Sequence, residues 1–196
     1  MQHVGAILLS FAAVAAAAPA ENLPRASNNN NPFQIYAYGD GIGGLPLFSA
    51  GTDAFLGDYT KFNDSNAAPV TFTPTDNVWQ GAPNTTALNS TATPDWSNLV
   101  FSIPVDSASD HSVTLINPNT TASDRETKGF MTYGNVVFFE GASGTMKSSW
   151  YAVPSSVEGI YSLKWNFTTD SAQDKVIVAL KKTIPSTALV PAQPNA

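Results

Sequence analysis

Two glutamates are the residues of this sequence whose types and surroundings best suit acid–base chemistry. Glu140 and Glu158 each precede a glycine at a predicted strand end, in the segments FFEG and SVEG. Glycoside hydrolysis needs two carboxyl groups roughly 5 to 9 Å apart, which two neighbouring strand ends could supply. Acids that only flank turns occupy the same kind of position. We therefore predict no catalytic residue, and a catalytic pair of these two glutamates is the alternative.

A second set of reactive residues is the run Asp110, His111 and Ser112. Neighbouring side chains of a strand point to opposite faces, so this adjacency does not build a catalytic triad. The only other histidine, His3, lies in an N-terminal segment that we predict to be removed. We therefore expect His111 to be an exposed residue at the start of a strand.

The remaining patterns for metals and cofactors are weak. The chain has no cysteine, which excludes thiol catalysis and thiolate metal sites. Asp106 and Asp110 could hold calcium only weakly, because they lack the spacing of a dedicated loop. Gly39, Gly41 and Gly44 match the dinucleotide pattern, but a strand follows them where that motif needs a helix, so they predict a turn. We expect no metal and no cofactor.

Four tryptophans could form a sugar-stacking platform. Trp150 and Tyr151 are adjacent in a predicted strand, so one ring points inward and the other outward. Aromatic residues more often belong to a core. A carbohydrate-binding module or small glycosidase that uses these rings with the two glutamates is thus the second hypothesis. The tryptophans are Trp79, Trp96, Trp150 and Trp165.

The N-terminus predicts export. Residues 4–18 are an apolar run that is too short to span a membrane, and it ends in the small-residue pattern Ala18-Pro19-Ala20. We predict a signal peptide over residues 1–20, with cleavage after Ala20 or, as a second choice, after Ala18. The protein is then secreted, to the extracellular space or the cell wall.

Glycosylation follows from the same prediction, because a secreted eukaryotic chain carries glycans at exposed N-x-Ser/Thr sites. The formal charge of −6 repels phosphate backbones and anionic lipids, so we expect no nucleic-acid and no membrane partner. We also expect a monomer. The predicted glycan acceptors are Asn63, Asn84, Asn89, Asn119 and Asn166.

The elements that must position these residues are strands. Short runs rich in aromatic and β-branched residues alternate with Gly, Pro, Asn and Asp clusters, and no long stretch has a helical period. The clearest strand covers residues 159–167, where Tyr161, Leu163, Trp165 and Phe167 share one face. The fold class is therefore all-β, as a single-domain antiparallel β-sandwich, with a closed β-barrel or a β-trefoil-like fold as alternatives.

The composition also divides the chain. Residues 21–31 are a polar disordered leader, residues 32–184 form the β domain, and residues 185–196 are a disordered, proline-rich tail. Residues 74–97 contain three prolines and two sequons, which predicts a long exposed loop.

Two stretches carry a resemblance. FQIYAYGDGIGGLPLFSAGTDAFLGD (33–58) has an opening strand and a P-L-F turn, and residues 135–166 have an aromatic strand ending in proline followed by a Gly-aromatic-Ser-hydrophobic-x-Trp strand. In this layout the chain resembles the PhiA-like small secreted cell-wall proteins of filamentous fungi. The resemblance implies a wall-associated or secreted β-protein without a known reaction, whose partner could be cell-wall polysaccharide. A host-directed secreted effector is a third hypothesis.

Overall fold

The computed structural model describes residues 31–88 and 92–186. The predicted signal peptide with its Ala20 cleavage site, nearly all of the leader, Asn89 and most of the tail lie outside the described residues. The described residues form fourteen strands and two single-turn 3-10 helices, Tyr59–Lys61 and Thr85–Ala87. In chain order the strands are β1 (Tyr36–Gly39), β2 (Ile42–Ser49), β3 (Ala54–Leu56), β4 (Ala68–Thr75), β5 (Val78–Pro83), β6 (Leu99–Pro104), β7 (Thr114–Ile116), β8 (Arg125–Glu126), β9 (Phe130–Tyr133), β10 (Val136–Glu140), β11 (Met146–Lys147), β12 (Trp150–Pro154), β13 (Tyr161–Trp165) and β14 (Val176–Lys181).

Six of these strands close into an antiparallel barrel. The order around the barrel is β1, β2, β3, β13, β12 and β14, and β14 pairs back onto β1. The predicted all-β class is confirmed, and the closed barrel that the sequence left as an alternative to a sandwich is present. Closure removes the free edges that an open sheet of these strands would expose.

The other strands are bonded outside the barrel. β4 pairs with β2 and continues through β5 and β6 to β7. The short strand β8 pairs with β6, and the β9–β10–β11 meander meets β14 at Val136 and Lys181. β7 returns to the barrel through a bridge between Thr114 and Asp53.

Tight turns join several strands, as the sequence indicates. Gly39 pairs with Ile42, so Asp40 and Gly41 alone make the β1–β2 turn, and Gly41 takes the positive φ that glycine allows. The glycine-rich run therefore contains a hairpin turn, whereas Gly39 ends β1 and Gly43 and Gly44 lie in β2. Asp76 and Asn77 have φ values of 48° and 64° between β4 and β5, the conformation of a two-residue hairpin loop.

Residues 74–97 are not the exposed loop that their prolines predict, because they contain all of β5. Trp79 in this strand is buried, with 3% of its surface exposed. The prolines fit because Pro74 and Pro83 lie near strand ends, where a missing N–H costs little. Residues 92–97 have no regular secondary structure, and there Trp96 is buried with its indole N–H donating to the Asn66 carbonyl at 2.8 Å.

One aromatic core joins the barrel to the outer strands. Trp150 and Trp165 face each other across β12 and β13 with ring centres 4.4 Å apart. Trp150 also contacts Phe101 of β6, and Trp165 contacts Phe139 of β10. These contacts cross from the barrel to the added strands, so the two parts share the larger core. A second, smaller cluster contains Phe48, Ala67 and Ile160.

Strand β13 follows the predicted alternation up to its last residue. Leu163 and Trp165 are buried on the inner face, but the strand ends at Trp165 because Asn166 adopts a positive φ of 67°. Phe167 therefore does not continue the inner face and is only half-buried. An asparagine tolerates this left-handed conformation better than most residues.

Candidate functional site

The two candidate glutamates lie at opposite ends of the β12–β13 hairpin. Glu140 follows Phe139, whose ring contacts Trp165 at the end of β13. Glu158 lies in the turn that precedes Tyr161 at the start of β13. Five strand residues span about 13 Å at the usual rise, which exceeds the separation that a glycosidase pair requires. The structure does not bring these carboxyl groups together.

The tryptophans do not form an exposed platform. All four are buried, with at most 7% of their surface exposed. Trp150 and Tyr151 point to opposite faces of β12, and neither is exposed. Trp150 lies in the core, and the chain after β13 covers the Tyr151 ring on the outer face. None of these rings is therefore available to stack against a sugar, as the second hypothesis requires. This covering segment runs over residues 166–175, from which Asp170 and Lys175 contact Tyr151.

Residues 110–112 run beside β13, where Ser112 is bridged to Lys164 and the His111 carbonyl accepts the Trp165 N–H, and their side chains hold chain segments together. His111 Nδ1 lies 3.0 Å from the Trp165 carbonyl, and the residue is half-buried rather than exposed. Ser112 accepts a hydrogen bond from Lys164 Nζ at 2.8 Å. The Asp110 carboxylate accepts the Ser112 backbone N–H at 2.9 Å. Each group thus has a structural partner, and among the described residues no hydrogen bond joins the imidazole to the hydroxyl as a triad requires.

Arg125 is the centre of this polar network. Its Nη2 donates to the Ser112 carbonyl and to Thr114 Oγ1, both at 2.6 Å, and its Nε donates to Ser102 Oγ at 3.1 Å. Ser102 is fully buried. Burial lowers the pKa of Arg125, against the nearby charges of Asp110 and other acids. The guanidinium nevertheless stays charged in proteins and ties β8 to the β6–β7 pair.

The Asp110 carboxyl responds to the same network. Burial alone would raise its pKa, but hydrogen bonds from Ser112 and the positive charges of Lys164 and Arg125 outweigh burial and lower it. Lys164 Nζ lies 3.9 Å from Asp110.

Tyr151 and Asp170 form the second half of the network. The Tyr151 hydroxyl donates a short hydrogen bond to the Asp170 carboxylate. This bond is the main reason that the pKa of Asp170 is lowered, with the charges of His111 and Lys175 acting in the same direction. Burial, together with Asp170, raises the pKa of Tyr151 above its ordinary value. Lys175 donates to the Phe167 carbonyl at 2.8 Å and also to the Asp170 carbonyl.

Sequence reasoning missed Arg125, Asp170 and Lys175. Arg125 and Asp170 lie between predicted strands, and Lys175 begins the predicted strand 175–182. The side-chain hydrogen bonds that join them to the network span 5 to 23 residues of sequence. Only the Asx turn at Asp170, whose carboxylate accepts the Ala172 N–H at 2.9 Å, follows from a local pattern. Nothing in the spacing of the sequence points to the other contacts.

Asp106 and Asp110 do not share a cation site. Asp106 accepts from Lys147 at 3.0 Å, whereas Asp110 belongs to the network described above. Within residues 31–88 and 92–186, no group of three or more His, Asp or Glu side chains is arranged to hold a metal ion.

The four described sequon asparagines lie outside the strands. Asn63 is at a bend and Asn119 in a turn, and both are exposed. Asn84 follows β5 and Asn166 follows β13, and both are half-buried. In each of these two, the amide oxygen accepts from the Thr hydroxyl of its own sequon, at 2.7 Å for Asn84 and 2.8 Å for Asn166. The contact uses the oxygen rather than the nitrogen that a glycan would occupy.

Comparison with protein-family models, with curated proteins and with solved structures finds no match to this chain. No helix in the described part of the chain is long and apolar enough to cross a membrane.

Proposed function

We propose that this protein is an exported, N-glycosylated and non-enzymatic β-barrel protein of the cell wall or extracellular space. The observation that carries the proposal is the position of the sequons. Every described acceptor asparagine lies at a bend, in a turn or just past a strand end, where a glycan does not interrupt a strand ladder. The apolar N-terminal run, which ends in Ala18-Pro19-Ala20, supplies the export signal.

The non-enzymatic part of the proposal is supported by how the reactive side chains are used. Ser112, Lys164 and Arg125 bond to one another or to backbone, and Glu140 and Glu158 belong to opposite hairpin ends. Catalysis would need a nucleophile or acid–base pair aimed at a common point in a cleft. A wall association like that of the PhiA-like proteins fits these features, and the protein acts as a monomer.

Export and glycosylation are tested by expressing the full chain in a glycosylating eukaryotic host. We expect N-terminal sequencing of the medium protein to begin at Glu21, and enzymatic deglycosylation to lower its mass. Asn63→Gln and Asn119→Gln should each remove one glycan, and Ser65→Ala should match Asn63→Gln because it removes the same sequon. Retention of residues 1–18 in the mature chain would contradict export by this route.

The absence of activity is tested with the purified mature protein on β-glucan, xylan and chitin, measuring reducing-end release. We expect no turnover. Glu140→Gln and Glu158→Gln accompany the wild type, since release that both substitutions abolish would establish a glycosidase instead.

A further inference from the structure

A surface cavity of about 290 Å³ opens between the barrel and the outer strands. The loop after β6, the strand β8 and the β10–β11 turn form its walls, and the end of β13 lies at its base. This volume is at the lower end of the range of small-molecule pockets, about 300 to 1,000 Å³. The lining residues that bear on a ligand are Asp106, Glu126, Phe139, Ser143, Lys147 and Trp165.

Trp165 presents an indole N–H at this cavity. The buried indoles of Trp96 and Trp150 donate to backbone carbonyls, at 2.8 and 3.2 Å. The indole N–H of Trp165 has no acceptor among the described residues. No side-chain nitrogen or oxygen in the described part of the chain is both sealed from solvent and unpaired. The unpaired indole N–H of Trp165 is therefore not sealed from solvent. Only 2% of Trp165 is exposed, and this small exposed part includes the N–H, at the cavity that the residue lines.

The remaining polar groups supply both acceptors and donors. The Asp106 carboxylate is paired with Lys147 at 3.0 Å, whereas Glu126 has no ion pair within the described residues. Ser143 adds a hydroxyl that can donate or accept. The Phe139 ring forms an apolar wall next to these groups.

This combination suits a sugar ring better than an anion or an apolar ligand. Sugar hydroxyls both donate and accept hydrogen bonds, so they can use the indole N–H, the carboxylates and the hydroxyl together. The C–H face of a sugar packs against aromatic carbon. A phosphate or sulfate would meet two carboxylates in a chain of net charge −6, which disfavours it.

We propose that this cavity binds one or two sugar residues of a neutral cell-wall polysaccharide. The indole N–H of Trp165 and the carboxylate of Glu126 would hold the sugar hydroxyls. The choice of polysaccharide rests on the proposed function, whereas the chemistry of the site rests on the cavity itself.

The test is an NMR titration of the mature ¹⁵N-labelled protein with neutral gluco-, xylo-, manno- and N-acetylchito-oligosaccharides. The four indole N–H signals are followed, and that of Trp165 is assigned by its loss in Trp165→Phe or, should that variant not fold, by through-space contacts with the Phe139 ring. We expect at least one oligosaccharide to shift the Trp165 signal in a saturable manner.

Two variants and a matched control sharpen the test. Glu126→Gln should weaken binding about tenfold, because it removes a charged acceptor. Ala142→Phe should abolish binding by filling the cavity mouth, with an unchanged melting temperature. Glu158→Gln, an exposed glutamate in the β12–β13 turn, should bind as the wild type does.

The proposal is overturned if no oligosaccharide shifts the Trp165 signal, or if Glu158→Gln weakens binding as much as Glu126→Gln. These outcomes differ from a failure of the proposed function. An exported, glycosylated protein whose cavity binds nothing contradicts this proposal alone, and saccharide binding by a protein that is not exported contradicts only the proposed location.

Discussion

Both faces of the β12–β13 hairpin are covered, the inner face by apolar contacts and the outer face by polar contacts. On the inner face, Trp150 and Trp165 contact each other with ring centres 4.4 Å apart, and Leu163 packs in the same core. On the outer face, Tyr151 and Lys164 pair across the strands and bond to Asp170 and Ser112. The inner face is held by apolar burial, which is not directional. The outer face is held by hydrogen bonds, which specify partners.

This difference explains what the polar residues of the outer face do in the fold. A chain without disulfides must fasten its outer segments to the barrel by other means. The segment around Asp170 covers Tyr151 on the outer face, and the segment around Ser112 pairs with β13 beside Lys164, so hydrogen bonds and charges attach both segments. The residues whose types suggest catalysis in the sequence therefore form hydrogen bonds that hold the outer segments in place.

The largest expected effect is on the aromatic face. Trp165→Ala should lower the free energy of unfolding by about 3 to 5 kcal/mol, as for other large buried aromatics. Lys164→Ala, the neighbouring residue on the polar face, should cost about 1 kcal/mol. Urea titrations followed by circular dichroism measure both values. Equal losses at the two positions would show that the two faces are not distinguished as described.

The next effect concerns the centre of the polar network. Arg125→Met should lower the free energy of unfolding by about 2 to 3 kcal/mol, because Ser102 and Thr114 lose a charged donor inside the protein. Lys128→Met is the matched control, since Lys128 is exposed three residues further on. A melting temperature that Arg125→Met leaves unchanged would mean that the network does not hold β8.

A smaller, pH-dependent effect is expected at Tyr151. Tyr151→Phe keeps the ring and removes the hydrogen bond to Asp170, which should cost about 1.5 kcal/mol at neutral pH. Because the pKa of Asp170 is lowered in the fold, its stabilisation is complete above the unfolded pKa of about 3.9 and is lost as the pH falls further. The difference between wild type and Tyr151→Phe should therefore narrow below about pH 4.

Denaturant titrations of both proteins between pH 7 and pH 2.5 measure this difference. Tyr133→Phe is the control, because Tyr133 is 48% exposed. A gap between wild type and Tyr151→Phe that stays constant down to pH 2.5 would exclude the carboxylate as the source of the effect.

The smallest effect is expected where a charge pair is exposed to solvent. Lys147 and Asp106 lie 3.0 Å apart, but their side chains are 40% and 68% exposed. Lys147→Ala should change the free energy of unfolding by about 0.5 kcal/mol or less. A double-mutant cycle with Asp106→Asn measures the coupling free energy between Lys147 and Asp106. A value larger than the coupling free energy between Arg125 and Thr114 would contradict the expectation that buried contacts stabilise the fold more than exposed ones.

The strands themselves were largely predictable, because their evidence is local. The alternation in β13 identifies Leu163 and Trp165 as inward residues, and the glycine-rich run identifies the β1–β2 turn. The three prolines and two sequons of residues 74–97 predict a loop around Trp79, where the structure has β5. Prolines at strand ends cost little, which the sequence does not reveal before the ends are known.

The candidate site was predictable only in part, since side-chain partners come from distant segments. The sequence indicates that Trp150 and Tyr151 point to opposite faces, but not that Asp170 covers the outer ring. It indicates that Asp110, His111 and Ser112 do not form a triad by adjacency, but not that Lys164 and Arg125 hold Ser112.

The sequence by itself determined the all-β class, the turns, the inner face of β13, and the positions of the export pattern and sequons, because each depends on residues close together in the chain. Only the tertiary structure decided that the strands close into a barrel, that Glu140 and Glu158 lie apart, and that the Trp165 indole reaches a cavity bordered by Glu126. Strand pairing and cavity lining depend on contacts between distant segments. The geometry of those contacts is set only when the whole core packs.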